Sequence, residues 1–396
     1  MFDTNRINSS SFLIIGCIWF AAATSLLSDS MNRIALYVAL PVAFVLSWYN
    51  NKQCRLDRGA SKYIELLFAL YVWITISVFW ASDLNLAFRQ LKQIWGAFIF
   101  CYTVSVNAKK LRFIPCLYFT FIILLIGDWY YAYNNIFGVI DLGIDRLDDD
   151  MLNANSLAYH TFYVTIALYM LGEVLPSNFN RLAKIAFLCI IPLSFYTAIL
   201  TASRQILLIQ VPLIGLLLFF RYWKGTKISR KIFFLIAAIC TLFLFRPKVK
   251  EIYDNSTLKA RAEINVEDDS RTKLVKDACY VAMEHMPLGV GANNYILYSY
   301  NRHFSHNNYL ELLANEGVVG LCLYLSIVLR FIRLQIKRYY RYRDKVFAVF
   351  LVFGIFYIID GVFYVFYPQI WLIGFFMLVA AHSETYYKTK YLNYAS

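Results

Sequence analysis

Charge is what this chain has least of. Only 16% of its 396 residues are Asp, Glu, Lys or Arg, while 60% are apolar. A soluble domain carries about 25% charged residues, so a water-facing globular body is excluded. Strict alternation of apolar and polar residues is also missing, which excludes a membrane β-barrel. None of the eight cysteines forms a CxxC pair, and most lie inside apolar runs. Neither a structural disulfide nor a thiolate metal site is therefore expected. The chain shows no internal repeat, and no matched pair of Gly/Pro-broken apolar segments such as transporters built from inverted halves carry.

What the chain does have is apolar runs of about 17–25 residues, each long enough to cross ~30 Å of hydrocarbon as a helix. Twelve such spans are expected, near 11–28, 33–50, 63–82, 92–107, 111–128, 157–175, 183–200, 205–221, 232–246, 309–329, 346–362 and 365–382. Short cytoplasmic loops should be rich in Lys and Arg. With the N-terminus inside, the inner loops collect Lys52, Arg55 and Arg58, then Lys109, Lys110 and Arg112, and finally the run from Arg330 to Lys345. The short outer loops are nearly bare of basic residues, and the one around Asp141 to Asp150 is acidic. Both termini are therefore expected in the cytoplasm. The net charge of +13 then follows from this asymmetry and from contact with anionic membrane lipid; it calls for no nucleic acid.

The expected organisation is helices 1–9 over residues 1–246, one large outer loop over 247–308, and helices 10–12 with a cytoplasmic tail over 309–396. Within the loop, Leu274, Ala278, Val281 and Ala282 recur at helical spacing. They predict an amphipathic helix capped by Asp269 or Ser270 that lies along the membrane surface. Met286-Pro287-Leu288-Gly289-Val290-Gly291 ends it with turn residues. The acidic residues from Asp141 to Asp150 are read as a solvated loop, without the interleaved Gly and Glu of a calcium loop. The aromatic clusters Trp129 to Tyr133 and Phe363 to Tyr367 are read as interface belts.

Residues able to do chemistry gather at the outer face. His306 stands just before the tenth span, where free N–H groups and the helix dipole favour an anion. A neutral histidine there can act as a general base near neutral pH. Asn307 or Asn308 can cap the helix, and Asn308 with Glu311 resembles a capping box. His303 and His306 have HxxH spacing, but no third ligand other than Glu311 stands nearby, so no metal is expected. Arg204 lies in a short outer turn, Thr201-Ala202-Ser203-Arg204, where positive charge is disfavoured. Its planar fork suits phosphate oxygens. Arg271 or Arg261 can supply a second clamp, and the chemistry alone does not choose between them. One histidine, two arginines and a helix N-terminus fit a phosphorylated lipid substrate whose headgroup reacts at the outer face, with the arginines stabilising the charge that develops on a diphosphate.

The run Ser305-His306-Asn307-Asn308-Tyr309-Leu310-Glu311-Leu312 and its continuation to Leu321 resemble the signature of the O-antigen ligase and O-antigen polymerase superfamily. Ser270-Arg271 followed by Met286 to Gly291 resembles that family's preceding segment, and Thr201 to Arg204 resembles its Ser-Arg turn. The resemblance covers roughly residues 195–325. It implies a type C glycosyltransferase-like fold of about 12 helices in a bacterial inner membrane, with its active face in the periplasm. It also implies a donor glycan on undecaprenyl diphosphate and an acceptor hydroxyl on a second glycan or on lipid A-core, with no metal and no cofactor. Carried over by residue, Arg204 and Arg271 would hold the diphosphate and His306 would act on the acceptor hydroxyl or the leaving group; Arg271 is favoured over Arg261. Asn307 and Asn308 are further candidates for substrate contact. The loops favour a polymerase over a ligase only slightly. A lipid-linked glycan transporter would need polar residues deep in the spans, and few are evident in the sequence.

Overall fold

The computed structural model describes residues 9–25, 29–52, 58–137, 154–174, 177–201, 204–223, 270–299 and 302–392, and every regular element among them is helical. In chain order these are α1 (Ser9–Ala23), α2 (Asp29–Ile34), α3 (Leu40–Lys52), α4 (Arg58–Ser77), α5 (Leu84–Asn107), α6 (Ile114–Asn135) and α7 (Ala154–Val174). Then follow α8 (Ser177–Leu200), α9 (Arg204–Leu218), α10 (Ser270–Glu284), α11 (Tyr295–Tyr298), α12 (Asn308–Tyr342), α13 (Lys345–Gly361) and α14 (Ile370–Tyr387). A π-helical turn, Ala35–Ala39, joins α2 to α3.

Five helical stretches among the described residues are long and apolar enough to cross a membrane: Ser30–Asn50, Gly59–Trp80, Ile114–Asn135, Phe179–Thr197 and Asn308–Tyr342. Helices stand at the other expected spans as well, except the ninth, 232–246, which lies outside the described residues. The acidic stretch 141–150 and Arg261 also lie outside them. Large apolar side chains such as Phe68, Ile126, Leu182, Ile185, Leu329 and Ile355 are exposed on the helix surfaces. Water would penalise such a surface and hydrocarbon accepts it. The described residues are those of an all-helical, multi-pass membrane protein.

The central helix is α14, buried on all sides from Leu372 to Thr385. It packs along α5 and also meets α4, α6 and α13. α14 and α5 come close at Gly374, where an added Cβ would stand 2.2 Å from the Phe100 ring. Small residues let helix backbones approach in this way where lipid offers no hydrophobic drive for association.

Two expectations change here. The tenth span was expected to end near 329 with a basic loop behind it. Instead α12 runs on to Tyr342, and the basic residues from Arg330 to Arg341 decorate its last turns. The helices also hold more buried ionisable groups than the sequence pattern implied. Arg338 donates to Glu384 at 2.7 Å, His160 meets Asp128 at 2.5 Å, and Arg221 donates to the Tyr169 carbonyl at 2.6 Å. Each pair spans two helices, so a charge that looks isolated along the chain is matched in space.

α12 breaks at Gly317, whose φ of 64° and ψ of −163° are not helical. A break frees backbone groups, and buried groups must find partners elsewhere. They do. Val290 N–H donates to the Ala314 carbonyl and Gly291 N–H to the Asn315 carbonyl, both at 2.8 Å. Trp73 Nε1–H donates to the Glu316 carbonyl at 2.8 Å, and Val318 N–H donates to the Pro287 carbonyl at 2.9 Å. The loop after α10 is thus laced into the gap in α12. Only glycine fits at the crossing: a Cβ on Gly317 would lie 2.0 Å from the Pro287 oxygen, and one on Gly289 would lie 2.6 Å from the Asn315 oxygen.

At the opposite end of α12, Asp344 caps α13 through Val346 N–H and also accepts from Tyr386, Lys390 and Tyr391. Burial raises its carboxyl pKa, but the donors Lys390, Val346, Tyr391 and Tyr386 outweigh burial and hold it at about 2.

Gly317→Ala should destabilise the fold by about 1–3 kcal/mol, the cost of a forced positive-φ backbone, with a further penalty from the clash. The midpoint of thermal unfolding in detergent checks this. The depressed Asp344 pKa contributes stability that is present above the unfolded value of about 4 and lost as pH falls toward about 2. Asp344→Asn should therefore flatten the loss of melting temperature between about pH 5 and about pH 3, because the substituted group no longer titrates.

Candidate active site

The residues from Ser305 to Leu312 divide into one that faces a cavity and several that hold it there. Ser305 is fully buried. Its N–H donates to Glu311 Oε2 at 2.8 Å, and its hydroxyl bonds the Asn307 carbonyl at 3.0 Å and the Asn307 N–H at 3.1 Å. Asn307 is the cap of α12, its Oδ1 accepting from Tyr309 N–H at 3.0 Å and Leu310 N–H at 3.1 Å. The expected box of Asn308 with Glu311 is therefore corrected by one residue: Asn307 caps, and Glu311 reaches back past the cap to Ser305.

Asn308 is buried, and its Oδ1 accepts from Phe366 N–H at 2.6 Å and Tyr367 N–H at 3.0 Å. It pins the link between α13 and α14 against the start of α12. Phe366 and Tyr367 are buried by this clamp, so this half of the aromatic cluster belongs to the core and not to an interface belt.

His306 stands between these anchors with a left-handed backbone, φ 53°. A non-glycine residue pays about 1–2 kcal/mol for that conformation, and the flanking Ser305, Asn307 and Glu311 bonds hold it. The result places the half-buried imidazole on the wall of a cavity of about 230 Å³.

The same lattice of bonds reaches α10. Asn315 Oδ1 accepts from Tyr295 N–H at 2.7 Å, and the Tyr295 hydroxyl donates to the Leu274 carbonyl at 3.4 Å. Burial raises the Tyr295 phenol well above its ordinary range, with Asp277 and Glu311 adding to the effect, so it remains a donor. Leu274, Ala278, Val281 and Ala282 are all buried. Three of them share a cluster with Val290, Tyr295 and Ala314. The apolar face of α10 thus packs on α12 and not on the membrane surface as expected. Arg271 lies in the first turn of α10, and Arg204 is the first residue of α9, which packs on α13, α8 and α7.

The far wall of the cavity is α5, which sequence reasoning did not connect with the site. Leu86, Arg89, Gln90 and Gln93 line it together with Asn293, Phe304, Glu311, Tyr364, Tyr367 and Gln369. The signal was present: 86, 89, 90 and 93 fall on one helical face. The fourth span was expected to begin at 92, whereas α5 begins at Leu84. Asp83 caps α5 through Asn85 and Leu86 N–H. Asn294 holds that cap in turn, accepting from Asp83 N–H at 2.7 Å and donating to the Asp83 carbonyl at 3.2 Å.

Asn308→Ala should leave two buried N–H groups without an acceptor, at about 1–3 kcal/mol for each unsatisfied group. A lower melting temperature and faster amide exchange at Phe366 and Tyr367 are expected, with membrane insertion preserved.

Residues 187–325 match the family model described as O-antigen ligase, a segment that contains His306, Arg204, Arg271 and the Gly317 break. No curated protein matches the chain. Over residues 187–325 the chain is thus similar to the O-antigen ligase family, the likeness that the motifs around Arg204, Arg271 and His306 carry.

Proposed function

We propose that the protein is a glycosyltransferase that moves a glycan from undecaprenyl diphosphate to an acceptor hydroxyl at the periplasmic face of a bacterial inner membrane. The observation that carries this reading is His306: a strained, fully braced turn at the N-terminus of α12 presents its imidazole to a polar cavity inside the family-matched segment.

In this reading the acceptor oxygen forms a bond to the anomeric carbon of the donor sugar. The bond from that carbon to the diphosphate oxygen breaks, and undecaprenyl diphosphate leaves with the electron pair. His306 takes the acceptor hydroxyl proton as general base. Arg204 and Arg271 neutralise the charge that grows on the departing diphosphate. Attack opposite the leaving group inverts the anomeric centre. The acceptor we favour is a second lipid-linked repeat unit, which makes the protein a polymerase of O-antigen or capsule-type glycan.

His306→Ala should abolish transfer, measured as long-chain glycan on membranes of a complemented deletion strain, while inserted protein stays at wild-type levels. Arg204→Lys should lose about 100-fold or more in rate if its fork binds phosphate in bidentate fashion, because a point charge does not replace that geometry. Normal glycan output from the histidine variant sinks the catalytic assignment. In the deletion strain, single repeat units on carrier or core identify a polymerase. Long chains stranded on the carrier with bare lipid A-core identify a ligase instead.

A further inference from the structure

Gln90 is 2% exposed and lines the same cavity as His306. Its Nε2 bonds the Tyr367 hydroxyl at 2.6 Å, while its Oε1 is buried with no hydrogen-bond partner. Exchanging the amide's oxygen and nitrogen does not remove the problem. Tyr367 engages one polar atom of the side chain, and the other is left over in either orientation. A buried polar atom without a partner costs about 1–3 kcal/mol. Such a group at the wall of a cavity is poised for a ligand.

The other described lining residues say what kind of ligand. They include one arginine, Arg89, and one acidic residue, Glu311, so the wall lacks the excess positive charge that a diphosphate requires. Gln93, Gln369 and Asn293 add neutral amides, and Phe304, Tyr364 and Tyr367 add aromatic surface. Amides beside aromatic rings suit a hydroxyl-rich sugar ring, with its C–H face on the aromatics and its hydroxyls on the amides. At about 230 Å³ the cavity is smaller than the ~300 Å³ at the low end of small-molecule pockets, which fits one sugar residue and not a glycan chain.

We infer that Gln90, with Arg89 and Gln93 on the same face of α5, forms the subsite for the sugar ring that bears the attacking hydroxyl. This rests on the proposed glycosyl transfer in one respect: His306 and Gln90 line one small cavity, so a ring held by Gln90 presents its hydroxyl beside the base. Gln90 is then a specificity-determining residue of the acceptor site.

The test uses the purified full-length protein in detergent micelles and saturation-transfer NMR. The probes are methyl glycosides of each sugar in the envelope glycan of the source strain. The wild type should transfer saturation to at least one glycoside. Gln90→Met should weaken that binding by about ten-fold, the size of one or two lost hydrogen bonds. Arg89→Gln should weaken it less, and His306→Ala should still bind. Each variant's melting temperature is read alongside to separate a fold defect from a binding defect. In transfer assays with wild-type donor, Gln90→Met should raise the acceptor KM and leave the donor KM unchanged. Equal binding by wild type and Gln90→Met, absence of binding to every glycoside, or a parallel fall in both substrate parameters overturns the subsite. Wild-type protein that binds a glycoside through Gln90 yet transfers no glycan overturns the glycosyl-transfer reading instead.

Discussion

The break in α12 at Gly317 and the loop laced into it are what the rest of the site depends on. A helix interrupted inside a membrane protein exposes backbone groups that neither lipid nor apolar side chains can satisfy. Here the carbonyls of Ala314, Asn315 and Glu316 are satisfied by Val290, Gly291 and Trp73, and Val318 N–H is satisfied by Pro287. Those bonds fix the chain after α10 against α12. They also carry Asn293 and Asn294 to the start of α5. The two walls of the cavity are therefore tied to one junction, and the imidazole and the α5 amides line one cavity as a consequence of where the helix breaks.

The polar residues near this junction serve two distinct ends. Ser305, Asn307, Asn308, Glu311 and Asn315 spend their hydrogen bonds on backbone groups or on one another. They make the turn at His306 rigid enough to hold a left-handed conformation, and precise placement of a reacting group depends on that kind of support. Gln90 differs because its unpartnered polar atom belongs to a side chain that lines the cavity. The distinction separates residues that build the site from residues that meet what enters it.

Elsewhere several of the helices' charges are paired. Arg338 with Glu384, His160 with Asp128, and Glu173 with both Arg221 and Lys345 join helices distant in sequence. Removing one partner leaves the other buried and uncompensated, a cost of about 3–5 kcal/mol. These pairs fix helix order. They need no transport pathway to explain them.

The sequence by itself determined that the chain is helical and membrane-embedded, because low charge and long apolar runs leave no other way to satisfy the backbone. It also marked His306 and the turn from Met286 to Gly291, because a histidine at a helix mouth and closely spaced Pro and Gly are local signals. It did not reveal that Asn308 holds Phe366 and Tyr367, since those partners lie some sixty positions away and a buried amide looks the same along the chain as one that awaits a ligand. It did not give α10 its partner, because an amphipathic stripe fits a helix as well as a membrane surface. It did not bring α5 to the cavity. Those outcomes were decided by tertiary structure, where hydrogen-bond partners and burial are set by which helices pack together and not by neighbours in sequence.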